Sequence, residues 1–191
     1  DFELDGLGGS VDISVASGDI DIRNSRGDIE ISTASGDIMI ENCSGDIELS
    51  TASGDIEGSG IEGDDIEISA ASGDIDINKA KGSFDLSVAS GDVEAEGIEI
   101  TGDSKFSTAS GEVSIVLADS PGSDLKLSTA SGDVLLDYNG NTVVGYFEFT
   151  ARKGRGRIKA PFDFDQEEEF KRDGRTYLRK SFTRKGDSPA I

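Results

Sequence analysis

The sequence predicts an all-β fold, a parallel β-solenoid (a single-stranded β-helix-like coil) with two strands per coil of about 18 residues. Two observations predict it. Ala-Ser-Gly recurs with its Ser at 17, 35, 53, 72, 90, 110 and 131, at spacings of 18, 18, 19, 18, 20 and 21. Between these marks the aliphatic residues alternate: Ile20 and Ile22, Ile29 and Ile31, Ile38 and Ile40, Ile47 and Leu49. Period two is the strand signal, and Ile and Val suit strands.

A looser glycine unit lies midway, at Arg26-Gly27-Asp28, Ser44-Gly45-Asp46, Gly63-Asp64, Lys81-Gly82-Ser83 and Gly102-Asp103. Two unlike nonapeptides therefore make one coil. Asp21, Glu30, Met39 and Glu48 stand between the aliphatic residues and are expected to face water. Small-residue stretches such as Ser32-Thr33-Ala34-Ser35-Gly36 read as corners. One nonapeptide buries two aliphatic side chains, worth roughly 1.5–3 kcal/mol each. Ordering its backbone costs about 1–2 kcal/mol per residue, so no unit folds alone and stacking is obligatory. Seven to eight coils at about 4.8 Å each give a rod of roughly 35 Å. Right-handed winding is the default for parallel crossovers. The left-handed hexapeptide helix would show a period of six, which is absent.

The pattern degrades from about Tyr138. We read residues 1–191 as one solenoid domain, regular over 1–140 and degenerate over 141–191. Nine of the 12 aromatic residues lie between Tyr138 and Phe182. Residues 152–185 hold 12 Lys/Arg against 6 Asp/Glu, within a chain of net charge -21. Thr150–Ile158 reads as a corner followed by a strand, with Arg157 in place of Asp. Phe147 and Phe149 alternate, as do Phe162 and Phe164. Asp173-Gly174 between alternating segments is a hairpin signal, so 161–183 is expected to form a hairpin cap over a solenoid end or edge. The tail Lys185–Ile191 resembles Asp119–Leu125 and predicts a further coil or a terminal strand.

Composition narrows the function classes. A surface this anionic disfavours nucleic acid and anionic lipid. The absence of His removes the commonest general base and metal ligand. The single cysteine, Cys43, precludes an intramolecular disulfide and reads as a small buried residue. No apolar run is long enough to cross a bilayer. The residues offer no catalytic constellation and call for no cofactor, so the chain is expected not to be an enzyme.

Stacking would align Asp19, Asp37, Asp55, Asp74 and Asp92, followed by Glu112 and Asp133. Asp28, Asp46 and Asp64 would begin a second column. Like charges about 4.8 Å apart repel by roughly 1 kcal/mol in water. Backbone N–H groups or bound cations could offset this, which makes those five Asp residues candidate cation ligands. Calcium-binding nonapeptide rolls carry a fuller glycine signature than Gly-Asp, so little specific Ca²⁺ affinity is expected. Arg26-Gly27-Asp28 falls in register with every other x-Gly-Asp and reads as repeat drift. The Thr column (Thr33, Thr51, Thr108, Thr129) is interrupted by Ala70 and Val88. Arg152, Arg155, Arg157, Lys171, Arg172, Arg175 and Tyr177 form a candidate partner-binding patch.

The iterated Ser17-Gly18-Asp19-Ile20, Ser35-Gly36-Asp37-Ile38, Ser53-Gly54-Asp55-Ile56, Ser72-Gly73-Asp74-Ile75 and Ser90-Gly91-Asp92-Val93 resembles the adhesin-type β-strand-repeat family of bacteria and archaea, a domain of unknown function of the DUF4097 type. The resemblance covers nearly the whole chain, with Glu112 and Arg157 departing from the Asp position. It implies an extracellular or cell-envelope solenoid, with a signal or anchor outside this segment. It supplies no catalytic residues. The expected role is a structural or interaction module for an unknown protein or surface polymer, with a cation-binding scaffold and a carbohydrate-active β-helix enzyme as alternatives.

Overall fold

The structure, a computed structural model, describes residues 1–154, 158–160 and 163–184. The chain divides into two compact units, Asp1–Asn139 and Gly140–Ile191. Among the described residues no helix is long and apolar enough to cross a membrane.

The first unit holds strands β1 (Phe2–Asp5), β2 (Val11–Val15), β3 (Ile20–Arg23), β4 (Ile29–Thr33), β5 (Ile38–Glu41), β6 (Ile47–Thr51), β7 (Ile56–Ser59) and β8 (Ile66–Ser72). It continues with β9 (Ile75–Asn78), β10 (Lys81–Gly82), β11 (Phe84–Ser90), β12 (Val93–Ile100), β13 (Ser104–Ser110), β14 (Val113–Leu117), β15 (Leu125–Ser131) and β16 (Val134–Asp137). The odd strands up to β9, then β12, β14 and β16, form one sheet; β2, β4, β6, β8, β11, β13 and β15 form the other. Every neighbouring pair is parallel. The solenoid predicted from the repeat is present, with about eight turns.

Register explains why. Ile20, Ile38, Ile56, Ile75, Val93 and Val113 stand one above the other along one sheet. Ile29, Ile47, Ile66 and Phe84 do the same along the other. All are buried, and the two columns belong to one continuous core. Slipping any strand by one residue would turn its whole aliphatic set outward, so the pattern fixes the register. The intervening Glu30, Met39 and Glu48 are exposed and Asp21 is half-buried, as the alternation requires.

The coil has a third, narrow ladder that two strands per coil does not anticipate. Gly8, Arg26, Ser44, Glu62 and Lys81 pair in succession, and Lys81 then pairs with Glu99. The chain enters this ladder through a left-handed residue, Asn24, Asn42 or Lys79, at φ of 52, 52 and 55°. Behind the ladder lie Ser25, Cys43, Ile61, Ala80 and Ile98, all buried. That column mixes Ser, Cys, Ala and Ile, so it carries no hydrophobic alternation to read. Cys43 sits there as the small buried residue expected, and burial pushes its thiol up. One column is corrected: Ile47 donates its N–H to Asp65 O, so Asp65 and not Asp64 follows Asp46. Asp64 is the extra residue of the 19-residue spacing.

The second unit is built differently. Strands β17 (Gly145–Arg152), β18 (Gln166–Arg172) and β19 (Arg175–Arg184) form a three-stranded sheet in the order β17-β19-β18. Both pairings are antiparallel. Asp173 and Gly174 have φ of 49 and 70°, the two positive values a tight hairpin turn requires. The hairpin read from Asp-Gly is therefore present. Thr150, read as the start of a corner, lies inside β17, and Ile158 lies outside any strand. The expected terminal strand in Lys185–Ile191, like Phe162, lies outside the described residues.

Candidate partner-binding face

The Asp row is set by the corner before it. Gly91 has φ of 143°, and a Cβ there would run into the carbonyl oxygen of Gly73 one coil below. Only glycine lets successive corners approach this closely. The aspartate that follows is drawn against the next coil. Asp19 Oδ1 accepts from Asp37 N–H at 3.2 Å, Asp37 from Asp55 at 2.9 Å, and Asp55 from Asp74 at 2.8 Å. Asp74 accepts from Asp92 N–H, and Asp92 from Glu112 N–H, both at 2.7 Å. The five candidate cation ligands thus form a row in which each carboxylate satisfies a backbone donor. Charge-assisted bonds of this kind offset the mutual repulsion of the column. Among the described residues no three Cys, Asp or Glu side chains converge as a metal site. The other corner repeats the contact once among the described residues, Asp124 N–H to Asp103 Oδ1 at 3.1 Å.

The Thr column faces inward. Thr33, Thr51 and Thr108 are buried, and Thr108 and Thr129 donate to the carbonyl oxygens of Gly91 and Gly111 at 2.8 and 3.1 Å. Arg26-Gly27-Asp28 belongs to the third ladder: Arg26 N–H donates to Leu7 O and Gly27 N–H to Ser44 O, each at 2.8 Å. It is repeat backbone, not a presented loop. A shallow depression of about 300 Å³ is lined by Asp65, Asp85, Asp103, Asp124, Lys105 and Lys126, among others. Two of its four carboxylates are engaged, Asp85 by Lys105 at 3.1 Å and Asp103 by Asp124 N–H.

The second unit brings the cationic candidates into order. Its strands alternate between two faces. One face carries Phe147, Phe149, Phe182 and Leu178. Phe147 and Phe182 stack at 4.5 Å between ring centroids, and Phe164 meets Phe149 edge-on at 6.0 Å. This is the sheet's apolar side, with Phe182 buried. The opposite face carries Arg152, Tyr177 and Phe170 in one row across the three strands, and Arg175 beside Arg172 in the next. Phe170 and Tyr177 lie 5.6 Å apart and 20° from parallel. Arg179 sits 4.7 Å above the Phe170 ring and pairs with Glu168 at 2.9 Å and Glu148 at 3.4 Å.

Of the seven residues singled out from sequence, the sheet gathers Arg152, Arg172, Arg175 and Tyr177 on one face. Lys171 falls on the opposite face, because it is the odd neighbour between Phe170 and Arg172. Arg155 and Arg157 lie outside the described residues. Sequence reasoning missed Phe170 and Arg179. The signal was available: counting by twos from Arg172 and from Tyr177 reaches both.

Fold and repeat define a parallel β-solenoid of Ser-Gly-Asp coils. A family model described as Toastrack DUF4097 matches residues 4–160, and the chain belongs to that family, a domain of unknown function. The match runs past Asn139, so it includes β17 of the second unit. Comparison with curated proteins and with solved structures gives no match.

Proposed function

We propose that the chain is a non-enzymatic interaction module of the cell envelope or extracellular space, adhesin-like in acting by binding. Its coils serve as a rigid acidic support, and its three-stranded sheet meets the partner. The observation that carries this reading is the Asp row. The repeat's signature carboxylates are committed to backbone N–H groups of the next coil, so the repeat is explained by architecture and needs no ligand. A cation-binding scaffold ranks lower for the same reason. A carbohydrate-active enzyme ranks lower because half the carboxylates of the acidic depression are already engaged. The test is co-sedimentation of the full chain with isolated cell envelopes from its source organism. Saturable association is expected; a chain that stays in the supernatant at every ionic strength ends the proposal.

A further inference from the structure

We infer that the arginine–aromatic face of the second unit binds a carboxylate-bearing polysaccharide. The inference rests on the interaction-module reading and names its partner.

The first argument is an imbalance of charge pairing. Lys153 pairs with Glu169 at 2.5 Å, Lys180 with Glu167 at 2.6 Å, and Arg179 with Glu168 and Glu148. Arg152 and Arg175 have no ion-pair partner among the described residues. Arg172 reaches only its own neighbour Asp173, at 3.8 Å. The uncompensated guanidinium groups therefore gather at one end of one face. Arg175 stands directly opposite Arg172, and like charges so placed destabilise a sheet.

The second argument is the aromatic platform. Tyr177 is the direct cross-strand neighbour of both Arg152 and Phe170. Directly opposed residues have Cβ atoms about 4.5–5.5 Å apart. Arg179 lies over Phe170 while held by two carboxylates, which fixes the ring. With Arg179 over Phe170, Tyr177 is the ring left beside the unpaired guanidinium groups, which suits a ligand that is itself a ring with an attached planar anion.

A uronic acid has that form. Its pyranose C–H face stacks on an aromatic ring, and its carboxylate is bonded directly to the ring. Charge and stacking surface are thus one bond apart, matching adjacent Arg152 and Tyr177. Guanidinium binds carboxylate through two parallel N–H bonds, which an ammonium cannot do. On the same face Arg179 already holds carboxylates, Glu168 through Nη1 and Glu148 through Nε. A polymer offers repeated charge, so Arg152 and the Arg172–Arg175 pair can engage successive units. The acid-rich coils oppose a polyanion, and salt screens that repulsion.

Affinity electrophoresis of the full chain through gels containing polygalacturonate, neutral dextran or single-stranded poly(dT) tests this. Retardation by polygalacturonate alone is expected. The pair Arg152→Ser and Arg175→Ser should weaken it about tenfold or more, and Tyr177→Ser several-fold with no change of charge. Lys171→Ser, on the opposite face, should leave it within about twofold. Circular dichroism of each variant confirms that the sheet is intact. No retardation by polygalacturonate, equal or stronger retardation by poly(dT), or insensitivity of well-folded variants to the Arg changes would overturn the inference. Envelope binding that survives the Arg pair would end this inference and leave the module reading standing. Polygalacturonate binding without envelope binding would do the reverse.

Discussion

The coils of Asp1–Asn139 and the sheet of Gly140–Ile191 solve the same problem in opposite ways. The coils hold 31 acidic and 6 basic residues, net -25; the second unit holds 8 and 12, net +4. Their sum is the chain's -21. The coils bury aliphatic columns, and every strand depends on a partner about 18 residues away. The sheet buries stacked phenylalanines, and its hairpin partners are adjacent in sequence. The difference shows where freedom to bind remains. In the coils, polar side chains at the corners are spent on the ladder: Asp on backbone N–H, and Thr51, Thr108 and Thr129 on glycine carbonyls. In the sheet, one face is apolar and the other carries Arg152 and Arg175, which have no ion-pair partner among the described residues.

This contrast can be broken at the sheet's core. Phe182 is buried and stacked on Phe147, so Phe182→Ala is expected to cost about 3–5 kcal/mol and melt the sheet. The coils should survive it. Cys43, 1% exposed, reports on them: it should stay unreactive toward a thiol reagent in this variant and react when the coils open. Fast labelling of Cys43 in Phe182→Ala would show that the units do not stand separately.

The converse change is Gly91→Val. It places a branched side chain at φ of 143° and against Gly73 O, at an expected cost of about 3 kcal/mol. Denaturant titration should show the coils losing stability, with Cys43 exposed at lower denaturant.

A smaller effect separates hydrogen bonding from charge in the Asp row. Asp74→Ala leaves Asp92 N–H without its 2.7 Å acceptor, at about 1–3 kcal/mol. Asp74→Asn keeps an acceptor and removes a negative charge from the column, so its thermal midpoint should lie near the parent's. Equal losses in both variants would mean the carboxylate charge itself is needed, as bound cations would require.

The smallest effect is a gain. Among the described residues the row stops at Glu112, whose longer side chain does not bond Asp133 N–H, while Asp92 below it does reach Glu112 N–H. Glu112→Asp is expected to restore the link and add about 1 kcal/mol, read as a higher melting temperature.

Much of this was legible in the residues because the repeat writes its own register. Ile20, Ile38 and Ile56 announce both the strand and its neighbour, and Asp173-Gly174 announces the hairpin. The third ladder was not legible, since Ser25, Cys43, Ile61 and Ala80 share burial but no chemistry. Asp64 and Asp65 could not be told apart without the backbone pairing that puts Asp65 O opposite Ile47 N–H. The candidate face was half legible. Arg172, Arg175 and Tyr177 stood out by composition, but only antiparallel register puts Arg152 beside Tyr177 and turns Lys171 away.

The Asp row also has a direction. Each carboxylate reaches forward along the chain to the following turn and never back, so every turn presents one kind of surface ahead and another behind. Tiles joined this way can be inserted or deleted whole without disturbing those on either side. The length of the coil stack is therefore quantised, and in-frame duplication or loss of a tile would change it by one fixed step.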